Sequence, residues 1–148
     1  IQIIITISIM LNVCTLSDKN YLSNGLLLTE SLLKFSSSIN KIFYLCLDDE
    51  TFDKVNSLKN ENLHPVHINE LEKEDDFSIL KKNTKYEPNS HECTYCFALG
   101  SYFSEFIVRK FKTNNILYVD SDILFYGDAN EIIDAVGDKS IGIMLHRH

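Results

Sequence analysis

Positive charge is in short supply in this sequence. Fourteen Lys and Arg stand against twenty-one Asp and Glu, a formal charge of -7, which opposes the electrostatic attraction that nucleic acids or anionic membranes require. That argues against a polymeric nucleic acid as partner. A small anionic ligand stays admissible, because a bound divalent cation reverses the local sign of a site whatever the net charge. Long apolar runs are lacking as well: "IQIIITISIML", residues 1–11, falls short of the roughly 20 residues that span a bilayer. It also lacks the positive n-region and small-residue cleavage site of a secretory signal. The stretch reads as a buried strand with an N-terminal extension, so no transmembrane segment, a cytoplasmic location and reduced thiols are expected. Cys14 and Cys46 fall in apolar strand-like runs, where a free thiol behaves as a small hydrophobe. Internal repeats, low-complexity tracts and linkers are missing too, so the 148 residues read as one domain.

What is present is an alternation of short apolar runs and helical patterns. The run ending at Leu16 reads as a strand, and after the polar "SDKN" the segment "YLSNGLLLTESLLKF" places Leu22, Leu26, Thr29 and Leu33 at helical spacing. "KIFYLCL" is a second strand, "DDETFDKVNSL" a short helix opened by acidic residues, and "LHPVHI" a third strand whose His64 and His67 point to opposite faces as surface residues. Residues 69–90 are charged and poorly periodic, a loop or short helix with mobility. "HECTYCFALGSYFSEFIVRKF" follows as a long helix started by Ser90. After one more strand, "DANEIIDAVG" spaces Asp128 and Glu131 as a capping box with Gly137 at the stop, and "SIGIML" closes as a strand. The pattern predicts an α/β fold with a mainly parallel sheet.

One stretch carries chemistry. "NILYVDSDILFYGD", residues 115–128, begins as a strand bound for a core yet runs into Asp120 and Asp122, separated only by Ser121. Paired carboxylates repel and are costly to bury, so they need water, donors or a cation. Alternation puts Tyr118, Asp120 and Asp122 on one side, and in open α/β sheets ligands sit beyond the carboxyl ends of the strands. Hard oxygen ligands so presented suit Mg²⁺ or Mn²⁺, completed by substrate phosphates and water.

With its flanks, "ILYVDSDILFYGDANEIID" resembles the metal-binding strand, turn and helix of the GT-A glycosyltransferases, especially the glycogenin and galactosyltransferase-like family 8. "LSDKNYLSNGLLLTESL" is similar to that family's first strand-to-helix turn. The resemblance runs from Asn12 to His148 and implies a Rossmann-like GT-A nucleotide-sugar-binding domain, truncated at its C-terminus. It implies that Asp120 and Asp122 coordinate Mn²⁺ (or Mg²⁺) against a nucleoside diphosphate, with Ser121 at the nucleotide. It further implies that Asp18 bonds the base, Asn20 the ribose, and Tyr21 stacks on the base. His146 would lie near the donor sugar or acceptor. Family members carry an Arg in a Tyr-x-Arg context before the metal strand, where Phe97 stands here. Their metal-binding His and phosphate-binding Lys come further along than His148, which implies a donor-binding half. The activity implied is metal-dependent transfer from a nucleotide-sugar, a UDP-sugar by preference, to an unknown glycan, lipid or protein acceptor.

Plainer readings stand beside these. Asp18 and Asn20 are also preferred helix N-caps, and Asp128 reads as a cap rather than a ligand. Cys93 and Cys96 with His91 offer three of the four ligands of a structural zinc site, but their spacing equally fits one helical turn. Two further functions remain open: a nucleotide-sugar or metal-binding domain without turnover, and a haloacid dehalogenase-type phosphatase whose first Asp attacks phosphorus.

Overall fold

The computed structural model describes residues 10–84 and 94–143. The N-terminal extension of the first strand, the Ser90 helix start, His91, Cys93 and His146 lie outside the described residues. The apolar runs form the expected strands β1 (Leu11–Ser17), β2 (Ile39–Cys46) and β3 (Leu63–His67). Between them lie α1 (Leu22–Phe35) and α2 (Asp49–Ser57), then α3 (Ile68–Leu71), α4 (Phe77–Asn83) and α5 (Thr94–Phe111). A short β4 (Leu117–Tyr118) and α6 (Asn130–Val136) follow. All pairings are parallel, in the order β3-β2-β1-β4. Helices cover both faces, the arrangement that continuous apolar strands require.

One core gathers Val13, Ile42 and Tyr44 beneath Leu28 and Leu32 of α1 and Val55 of α2. The other packs Cys14, Phe43, Leu45 and Val66 against Phe77 of α4 and Leu99, Phe103 and Phe106 of α5. The buried face of α1 is Gly25, Leu28, Thr29 and Leu32, while the expected Leu22, Leu26 and Leu33 flank it, half-buried. Gly25 faces the sheet over Tyr44, where a Cβ would sit 1.8 Å from the tyrosine hydroxyl, so this close approach of α1 needs glycine at that position.

The charged segment after β3 is more ordered than its composition suggests. Leu71 and Phe77 are buried, and Lys110 and Arg109 of α5 pair with Glu70 at 2.6 Å and Glu74 at 2.9 Å. The two histidines do take opposite faces, but neither is a free surface residue. His64 packs between the rings of Phe43 and Phe111, and His67 meets Phe52 edge-on.

The expected last strand does not form among the described residues. Residues 140–143 are irregular, with Ile141 and Ile143 exposed, because β4 leaves the sheet after two residues and offers no ladder to extend. The expected capping box does not form: the N-cap of α6 is Ala129, with no side-chain cap hydrogen bond, and Asp128 Oδ1 accepts from the backbone and side-chain amides of Asn130 at 3.0 and 2.8 Å. Gly137 ends α6 as expected, at φ 61°. Cys14 and Cys46 are free thiols. Burial pushes the Cys14 and Cys46 thiols up to about 12, which leaves them unreactive. Among the described residues no helix is long and apolar enough to cross a membrane.

Candidate functional site

Strand order reverses between β1 and β4. The chain winds from β1 through β2 to β3 in one direction, then crosses by α5 to place β4 on the other side of β1. In open α/β sheets this reversal opens a crevice at the carboxyl ends of the two strands. The two motifs singled out in the sequence follow those two strands.

The loop after β1 is tightly tied. Asp18 Oδ1 accepts from the backbone N–H groups of Asn20 at 2.9 Å and Tyr21 at 3.1 Å, and Oδ2 accepts from the Asn20 side chain at 3.0 Å. The expected helix cap is not formed by Asp18 or Asn20: α1 has Tyr21 at its N-cap with no side-chain cap hydrogen bond, and Asp18 instead closes the turn before the helix. A carboxylate has about four acceptor positions, so three accepted bonds leave one on Oδ2 for a ligand. Tyr21 is 54% exposed, its ring open to stacking.

Two supports were not legible in the sequence. Asp48, read only as an acidic helix start, accepts from the backbone N–H of Lys19 at 2.8 Å through one oxygen and from that of Thr51 at 2.8 Å through the other. It caps α2 and grips the β1 loop at once. Partial burial works to raise its pKa, but the N–H groups of Thr51 and Lys19 outweigh that and hold the carboxyl below its ordinary range. Ser17, the last residue of β1, bonds the Tyr44 hydroxyl at 2.7 Å. Beside them, His67 Nδ1 accepts from the Asn69 N–H at 3.1 Å, which leaves the proton on Nε2 to be donated to Asp49 at 2.9 Å.

The loop after β4 is looser. Val119 N–H reaches Cys14 O at 3.0 Å and ends the ladder. Asp120 to Ile123 form a turn closed by the Ile123 N–H on Asp120 O at 3.1 Å. Asp120 and Asp122 are both exposed and Ser121 is half-buried. Two carboxylates at a strand end thus escape the cost of burial. Tyr118 donates its hydroxyl to Asp120 Oδ1 at 2.9 Å, which puts these two of the three expected residues on one side. Burial, then the Asp120 charge, pushes the Tyr118 phenol far up, so it stays a donor. The segment beyond is stitched to α1 by serines: Phe125 and Ala129 donate backbone N–H groups to Ser31 at 3.1 Å and Ser36 at 2.9 Å. On α5, Phe97 is 74% exposed.

Among the described residues no cluster of three or more His, Cys, Asp or Glu could hold a metal alone. Two exposed carboxylates nevertheless fit Mg²⁺ or Mn²⁺ of the kind that keeps water and takes substrate phosphate as further ligands.

The model of the family described as "Glycosyl transferase family 8" matches residues 12–145. The chain belongs to glycosyltransferase family 8. That match covers both loops, and membership in family 8 removes the ground for a phosphatase. The "Uncharacterized protein YfnF" of Bacillus subtilis (strain 168) is 27% identical over 129 residues, 86% of this chain and 40% of that protein. Among solved structures, the apo-form glycosyltransferase GlyE of Streptococcus pneumoniae TIGR4 aligns with a TM-score of 0.43 and 19% identity, over 83% of this chain and 26% of that one. The WbbM bifunctional glycosyltransferase aligns with a TM-score of 0.48 and 14% identity, over 90% and 22%. This family 8 chain thus spans less than half the length of each of these three proteins.

Proposed function

We propose that the chain is the donor-binding part of a larger metal-dependent glycosyltransferase, one that moves a sugar from a UDP-sugar to a glycan, lipid or protein acceptor. The observation that carries this reading is the pair of loops flanking the strand reversal, one ending in an exposed aromatic and the other in two exposed carboxylates, within a family 8 chain. Tyr21 would stack on the base, with the free Oδ2 position of Asp18 accepting from it and Asn20 turning its amide oxygen and remaining N–H toward the ribose. Asp120 and Asp122 would hold Mn²⁺ or Mg²⁺, with Ser121 at the nucleotide between them. When bound, the cation supplies Lewis-acid neutralisation of charge on the departing diphosphate. The rest is positioning: the braced β1 loop orients the nucleoside so that the diphosphate meets the carboxylates.

Calorimetric titration of UDP, GDP and UDP-sugars, with and without Mn²⁺, tests the reading. Metal-dependent UDP binding that Asp122→Asn removes is the expected result. No nucleotide binding by a protein shown to be folded would overturn it.

A further inference from the structure

The donor reading leaves unexplained why β4 ends in a tyrosine instead of an aliphatic residue. The Tyr118 ring lies against α5 at Gly100, where an added Cβ would come within 2.6 Å of its ζ carbon and 2.9 Å of its hydroxyl oxygen. Gly100 is therefore a notch that admits the ring. The opposite face of the sheet carries the same construction, with Tyr44 under Gly25 and its hydroxyl on Ser17. In each case a helix glycine seats a tyrosine whose phenol holds a residue at the carboxyl end of a strand. For Tyr118 that residue is Asp120.

We propose that Tyr118 is a positioning residue for Asp120: seated by Gly100, its hydroxyl fixes the carboxylate and occupies Oδ1, so that Oδ2 is the oxygen offered to a divalent cation. The inference rests on the donor-site reading above. An exposed aspartate in a turn samples several rotamers, and a hydrogen bond to a charged acceptor is among the stronger kinds. Holding one rotamer before the ligand arrives removes part of the ordering cost of binding. The single tie also leaves most of the acceptor capacity of Asp120 free.

The test is calorimetric titration of UDP into the wild type, Tyr118→Phe and Gly100→Ala, each with and without Mn²⁺, with urea unfolding of each variant. Phe keeps the ring in its notch and removes only the hydroxyl, whereas Ala displaces the hydroxyl without removing it. Both variants are expected to lose about 5- to 10-fold in UDP affinity with Mn²⁺ and to match the wild type without it. Tyr118→Phe binding as the wild type does in both conditions, or losing equally in both, overturns the positioning role and leaves the donor site standing. A wild type that binds UDP no better with Mn²⁺ than without removes the donor-site reading, and this inference with it.

Discussion

The two loops that flank the strand reversal are built to different standards. The one after β1 is cross-braced: Asp18 ties its own turn, Asp48 grips Lys19 from α2, and Ser17 is anchored on the buried Tyr44. The one after β4 leaves a two-residue edge strand and offers two exposed carboxylates, of which Asp120 is tied by a phenol. The difference matches what each would hold. The base of a nucleoside is a rigid plane, and a preformed frame binds it with little further ordering. A metal diphosphate brings its own charge and ligands, so carboxylates held apart from packing cost little until it arrives.

The largest expected break in the comparison is Gly25→Ala. Its Cβ would meet the buried Tyr44 hydroxyl, and overpacking of this kind costs about 2 to 3 kcal/mol, read as a lowered urea midpoint. Gly100→Ala should cost only about 1 kcal/mol, because the half-buried Tyr118 sits on a short edge strand and can swing aside. Equal costs would mean that the two loops are equally braced.

Tyr21→Ala separates the two halves in binding. Losing a base-stacking ring should weaken UDP by about 1 to 2 kcal/mol, equally with and without Mn²⁺ in calorimetry. A loss confined to the metal-bound condition would put Tyr21 in the wrong half.

Asp48→Ala removes a cap and the brace on Lys19, at about 1 kcal/mol. The Asp48 carboxyl is held below its ordinary 3.8 in the folded protein, so its stabilisation is fully present above that value and is lost as pH falls through the lower folded one. The variant should therefore show a shallower acid loss of stability in pH-dependent urea melts, converging with the wild type at the acid end. Smallest of all, Asp122→Asn should change stability by less than about 0.5 kcal/mol, since the side chain is exposed.

The sheet was legible because its apolar runs are continuous and its helices periodic. What escaped the sequence was set by contacts distant along the chain. Gly25 of α1 faces the sheet over Tyr44, and the order of the segment after β3 depended on Lys110 and Arg109 reaching back from α5. Of the strand expected at "SIGIML", the described residues 140–143 are irregular. The aspartate pair was readable because a strand that ends in carboxylates violates its own pattern. Asp48 was not, since an acidic residue before a helix looks like an ordinary cap and only the fold reveals its second bond to Lys19.

The most direct measurement is amide chemical-shift mapping of UDP with Mg²⁺ across the chain. The protein also has a groove of about 440 Å³ lined by four leucines, Leu26, Leu33, Leu58 and Leu63, together with Thr29, Glu30 and Asn60, and by no residue of either loop. The account predicts shifts concentrated at residues 17–21 and 119–123, with the groove unmoved. Shifts centred on Leu58 to Leu63, with the two loops silent, would contradict it.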